Sequence, residues 1–139
     1  MEESLRLVQT QNPDIVPLIA KWWRKYLGKI KTELEEGELL KLAGCFGVGA
    51  DNRLFVLMDE NKKEIHGFCV VNFDRAYKAL IVYQVATDRR EEMKRELFRL
   101  KDRSGATAIY FMTERKPEAW QRLVSAKLVG FFMELTEEV

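Results

Sequence analysis

The apolar run LIVYQVAT passes directly into DRREEMKRELFRL, and the residues at that junction are of types that bind or repel an anion. A helix start presents amides without helical partners and the positive end of the helix dipole, which together favour phosphate or carboxylate. Arg89 and Arg90 add guanidinium groups suited to a phosphate. Asp88, Glu91 and Glu92 oppose it with three carboxylates, and no glycine lies between Gln84 and Leu100 to let backbone approach a ligand closely. Asp88 has the chemistry of an N-cap, and Glu91, three residues on, that of the carboxylate closing a capping box. The expectation is a helix capped by its own Asp88, with phosphate held by Arg89 and Arg90 as the competing reading.

The strand interiors supply a second set. Tyr83 and Gln84 are neighbours and point to opposite faces of a strand, so Gln84 is a hydrogen-bonding group in an apolar stretch, while Tyr83 either packs or lines a cleft. His66 alternates with Phe68 and Val70, as a packed or edge histidine does. Cys45 and Cys69 lack CxxC spacing and have one histidine between them, so no metal site is expected. From Lys21 to Lys31, KWWRKYLGKIK interleaves cations with aromatics, a composition that can stack on bases or on an acceptor substrate. The competing reading buries Trp22 and Tyr26 and leaves Lys21, Arg24, Lys25 and Lys29 in water. Neighbours on a helix lie about 100° apart, so Trp23 should then face another way.

These residues need elements to hold them. Residues 4–9 alternate as a short strand. Asn12-Pro13-Asp14 is a helix entrance, with Ile15, Ile19, Trp22 and Tyr26 at helical spacing behind it as far as about Gly28. A second helix is expected over residues 32–42, weakened by Gly37 at about 1 kcal/mol relative to alanine. RLFVLMDE, EIHGFCVVNFD and LIVYQVAT form three strands of an antiparallel meander, separated by polar turns. The helix over 88–103 carries Met93, Leu97 and Leu100 on one stripe and stops at Gly105. TAIYFMTE is a strand, PEAWQRLVSAKL a proline-started helix, and VGFFMELTEE a closing strand.

One domain over residues 1–139 accommodates this series, and a chain of that length buries roughly two-thirds of its unfolded surface. The composition, 47% hydrophobic and 32% charged, provides both a core and a soluble surface. With 23 basic and 22 acidic residues the net charge is +1, too little to draw nucleic acid or anionic lipid by a long-range field, so neither is an expected partner. No segment approaches the roughly 18 apolar residues of a membrane span, and MEESLRLVQT lacks a signal-peptide core. The expected compartment is the cytoplasm, with thiols reduced.

The element order β, α, α, β, β, β, α, β, α, β resembles, over essentially the whole chain, the GNAT superfamily of acyl-CoA-dependent N-acetyltransferases, whose short phage-encoded members look similar. TAIYFMTERKPEAWQRLVSAKLVGFFMEL, with its Gly130-Phe131 pair, is the best local match. The resemblance implies an α/β fold, a mixed sheet with a central antiparallel meander and helices on both faces. It implies acetyl-CoA in a cleft where the fourth strand parts from the fifth, with the pantetheine arm on backbone near Val85 and Thr87 and the pyrophosphate near Arg89 and Arg90. It also implies direct acetyl transfer to a small-molecule or peptide amine, and places Trp23 on the acceptor side. The family's Q/R-x-x-G-x-G/A loop is not kept: begun at Arg89 it has Glu92 and Lys94 for glycines, and begun at Arg90 it has Met93 and Arg95. Lys116 replaces the asparagine of the family's N-x-x-A, and Ala126 the tyrosine that protonates the leaving thiolate, with Ser125 the adjacent hydroxyl. Tyr83, Gln84 and Ser125 are therefore the candidate catalytic groups. Two functions are compatible with these departures: a divergent N-acetyltransferase with a weakened cofactor site, or a non-catalytic binding or structural module that keeps the scaffold.

Overall fold

The computed structural model describes residues 5–26, 42, 44–46, 51–61, 63–111, 126–129 and 132–135. Among them are β1 (Leu5–Thr10), α1 (Ile15–Tyr26), a short 3-10 turn (Gly44–Phe46), β2 (Arg53–Asp59), β3 (Glu64–Asp74), β4 (Ala79–Thr87), α2 (Arg90–Ser104), β5 (Ala108–Phe111), β6 (Ala126–Val129) and β7 (Phe132–Leu135). The strands form one mixed sheet in the order β1-β2-β3-β4-β5-β7-β6. Among the described strands only β4 and β5 run parallel, and α2 is the crossover that a parallel neighbour requires. The expected meander is present, β2, β3 and β4 pairing antiparallel in sequence.

The central strands carry apolar residues on both faces, which is why they read as nearly continuous hydrophobic runs. On one face Leu57, Cys69, Val71, Leu80 and Val82 meet Met93 and Leu97 of α2, with Ile109 and Phe111 of β5. On the other, Leu54, Val56, Phe68 and Val70 meet Ile19, Trp22 and Trp23 of α1, with Leu42 packed against them. The two helices thus cover opposite faces of the sheet. Both tryptophans are buried, against the expectation that they diverge: Trp22 meets the Phe68 ring edge-on at 6.4 Å and Trp23 lies tilted over it at 5.3 Å. The indoles are long enough for two adjacent helix positions to close on one ring.

Local signals explain the ends of the helices. Asn12 Oδ1 accepts the Asp14 amide at 3.0 Å and the Asn12 carbonyl accepts that of Ile15 at 3.1 Å, which turns the chain into α1. Gly105 ends α2 in the left-handed conformation, φ 77° and ψ 12°, its amide and that of Ala106 bonding back to Asp102 and Lys101. The C-terminal end departs from expectation. Ala126–Val129 is a strand where the sequence predicts the end of a helix over 117–128, and it pairs antiparallel with Phe132–Leu135, so the closing strand is a hairpin. A short run such as AKLV satisfies helical and strand periods alike, and only its pairing partner decides between them. The expected helix over 32–42 lies outside the described residues apart from Leu42, as do Ser125, Gly130 and Phe131.

Candidate active site

Parallel pairing joins Ala79–Val82 of β4 to Ala108–Phe111 of β5. Beyond Val82, β4 continues through Tyr83, Gln84, Val85, Ala86 and Thr87, which among the described residues have β3 on one side and no strand on the other. A bulge falls at this point. Val82 stands opposite Val71 and Gln84 opposite Val70, leaving Tyr83 as the extra residue, 40% exposed. Such a bulge bends its strand and re-aims a side chain, here just beyond the last described pair of β4 with β5. Val85 turns to the α2-side core and Ala86 to the α1-side core. Gln84, in register with Val70, is half-buried on the α1 side with Phe68 and Trp23.

The end of β4 is locked to β3 by a close approach. Thr87 lies opposite Gly67, and a Cβ on Gly67 would come within 2.6 Å of the Ala86 carbonyl oxygen and 2.7 Å of Thr87 Cβ. Glycine is needed there on two counts, the contact and a φ of 158° that side-chain-bearing residues rarely adopt. Thr87 Oγ1 donates to the His66 carbonyl at 2.7 Å and accepts the Arg89 amide at 2.9 Å, while the Asp88 amide also bonds the His66 carbonyl at 3.2 Å. A lone glycine inside a strand pattern signals such an approach, and EIHGFCVV carries that signal.

Asp88 does not cap the helix. The cap position belongs to Arg89, whose side chain makes no capping hydrogen bond. Asp88 instead sets Oδ1 3.4 Å from Nδ1 of the buried His66, whose Nε2 lies 3.7 Å from Glu64 Oε2. The reason is register: α2 starts at Arg90, so Asp88 precedes the cap and is held toward His66 by its own amide bond. The capping box with Glu91 therefore does not form. The first helical hydrogen bond runs from the Met93 amide to the Arg89 carbonyl at 2.9 Å, so the amides of Arg90, Glu91 and Glu92 stand ahead of the ladder at the positive end of the dipole. Arg89 is half-buried beside them and Arg90 exposed, while Glu91 and Glu92 occupy the same first turn.

The structure thus brings Tyr83, Gln84, Val85, Thr87, Arg89 and Arg90 together along one strand edge and one helix start. Trp23 lies in the α1-side core, on the face that Gln84 shares. Among the described residues no group of three His, Cys, Asp or Glu side chains is placed to hold a metal ion, and no helix is long and apolar enough to cross a membrane.

By sequence, neither a protein-family model nor a curated protein matches the chain. Solved structures match it throughout their length. A Desulfovibrio desulfuricans protein assigned to the GNAT family of acetyltransferases superposes with a TM-score of 0.67 at 10% identity, over 95% of this chain and 96% of its own. A GNAT-family acetyltransferase from Staphylococcus aureus gives 0.55 at 12% identity, over 97% and 100%. A chimera of the Vibrio cholerae spermidine N-acetyltransferase SpeG with hSSAT gives 0.56 at 15% identity, over 94% and 91%. The chain has the fold of the GNAT acetyltransferases.

Proposed function

We propose that the chain, as one domain over residues 1–139, is a divergent cytoplasmic N-acetyltransferase that moves an acetyl group directly from acetyl-CoA to a small-molecule or peptide amine. The observation that carries the reading is that, among the described residues, β5 pairs with β4 only as far as Val82, so that the backbone of Tyr83–Thr87 is an edge leading into a helix start without a side-chain cap. An extended amide-bearing arm such as pantetheine adds to such an edge as a strand does, through the backbone near Val85 and Thr87. The amides of Arg90, Glu91 and Glu92, with Arg89 and Arg90, offer donors to a pyrophosphate. The nucleophilic amine, freed of a proton, forms the C–N bond while the C–S bond breaks, and the thiolate takes up a proton. Tyr83 is the acid on this reading, because the bulge exposes its phenol at this edge. Gln84 and Trp23 belong to the α1 side, where the amine would approach. Cys45 and Cys69 are free thiols, in keeping with a reducing compartment.

A second reading, a non-catalytic module on the same scaffold, is favoured by one observation. Glu91 and Glu92 in the first turn, with no glycine nearby, hold a phosphate away from the backbone and meet it with like charge. Calorimetric titration with acetyl-CoA separates the two. Saturable one-to-one binding in the low micromolar range, weakened when Arg89 and Arg90 are both changed to alanine, is expected of the enzyme. Absence of binding up to millimolar acetyl-CoA assigns the chain to the second reading.

A further inference from the structure

A groove of 690 Å³ opens between the C-terminal half of α2 and the β1 side of the sheet, remote from the β4–α2 junction. Arg90 and Arg103 stand at opposite ends of α2, about 20 Å apart at 1.5 Å per residue. The groove has an apolar floor that includes Phe55, Leu100 and Phe73. Phe73 is 39% exposed, one of the five exposed large hydrophobic residues among those described. Its walls are charged, with Arg6, Arg99 and Arg103 against Glu60 and Glu96, which leaves one net positive charge.

Glu96 fixes the geometry of that wall. The carboxylate is buried, accepts the Leu7 amide at 3.0 Å through Oε1, and holds Arg99 at 3.1 Å and Arg6 at 3.5 Å through Oε2. Each guanidinium has five N–H donors, so both arginines keep donors for a further anion. Arg103, one turn beyond Arg99, has no ion pair among the described residues.

We propose that this groove is a binding site for a small amphipathic monoanion, a short apolar body bearing one carboxylate. The body lies against Phe73 and Leu100 and the carboxylate meets Arg103 and Arg99. The volume falls within the range of small-molecule sites, which combine apolar walls with a few placed polar groups. A neutral molecule would leave the guanidinium groups facing apolar surface, and a polyanion would exceed the single positive charge and leave the floor uncovered.

Octanoate is the probe, titrated calorimetrically into the full chain beside octan-1-ol at equal concentration. The expected result is saturable one-to-one octanoate binding with a dissociation constant on the order of 100 μM, a fair yield for ten heavy atoms. Arg103→Gln should weaken it about tenfold and Phe73→Ser by a similar factor. Both residues are exposed enough for the variants to fold, which circular dichroism checks. Arg90→Gln, at the other end of α2, should leave the affinity unchanged. No saturable octanoate binding below 5 mM, equal binding of octan-1-ol, indifference to Arg103→Gln, or loss on Arg90→Gln would each overturn the proposal.

Discussion

Glu96 is 3% exposed, and its burial follows from what the sheet leaves over. β1 is an edge strand, and Leu7 gives its amide to the Glu96 carboxylate rather than to another strand. A carboxylate in that position satisfies a backbone donor and keeps the edge from pairing with another chain. Its ion partners add less, because Arg6 and Arg99 are 40% and 42% exposed and screened by water. Glu96→Ala is therefore expected to cost about 2 kcal/mol in urea denaturation through the orphaned amide, and Glu96→Gln, whose side-chain carbonyl still accepts, about 1 kcal/mol. Equal losses for the two variants would put the ion pairs ahead of the backbone bond. In the sequence Glu96 is one of several acids in a charged helix, and the partner that distinguishes it stands 89 positions away. Asp88 is illegible in the sequence for the same reason. Its composition as a cap is visible locally, whereas the His66 imidazole that takes its side chain comes from β3.

At the scale of elements, the two described helices and the meander were legible because their signals are local. Asn12 opens α1, Gly105 closes α2, and apolar runs punctuated by polar turns make β2, β3 and β4. The closing hairpin was not, since four-residue strands carry too few positions to establish a period. The cleft lay between: Tyr83–Thr87 was legible as strand, but the bulge at Tyr83 and the register of the described β4–β5 pairs depend on alignment across three strands. Two glycines separate the local from the non-local contribution. At Gly105 nothing lies within 4 Å of where an added methyl would sit, so Gly105→Ala should cost only the left-handed backbone, about 1 kcal/mol. At Gly67 a φ of 158° adds its own backbone cost and the methyl would also strike the Ala86 carbonyl and Thr87, so Gly67→Ala should cost about 3 kcal/mol and force β4 away from β3. Thermal melts measure both. Hydrogen exchange at the Asp88 and Arg89 amides should quicken in Gly67→Ala only, and unchanged protection there would mean that the junction does not depend on this contact.

For the whole molecule, the sheet is a partition between two cores, each closed by one described helix. Both cores draw on β2 and β3, so neither can be opened without disturbing the residues that alternate into the other. β3 shows this most directly: Phe68 and Val70 project to the α1 side, and Cys69 and Val71, the intervening and following residues, to the α2 side. Such a molecule should open its centre only by global unfolding, and the two thiols report on that. Cys69 is fully buried, and burial pushes its thiol well above the ordinary range; Cys45 is half-buried, its thiol also raised by burial, with Arg53 acting in the opposite direction. The thiolate is the reactive form, so near neutral pH a raised pKa slows Cys45, and its labelling should quicken about tenfold per pH unit below that pKa. Cys69 should wait for unfolding. In native buffer one thiol should react with a maleimide, and the second at least about a thousandfold more slowly, at a rate set by the equilibrium between folded and open states. Added urea should accelerate the slow thiol along the slope of global denaturation and leave the fast one nearly unchanged. Equal rates for both, or a slow rate insensitive to urea, would show that β3 is reached by a local opening and that the two cores come apart independently.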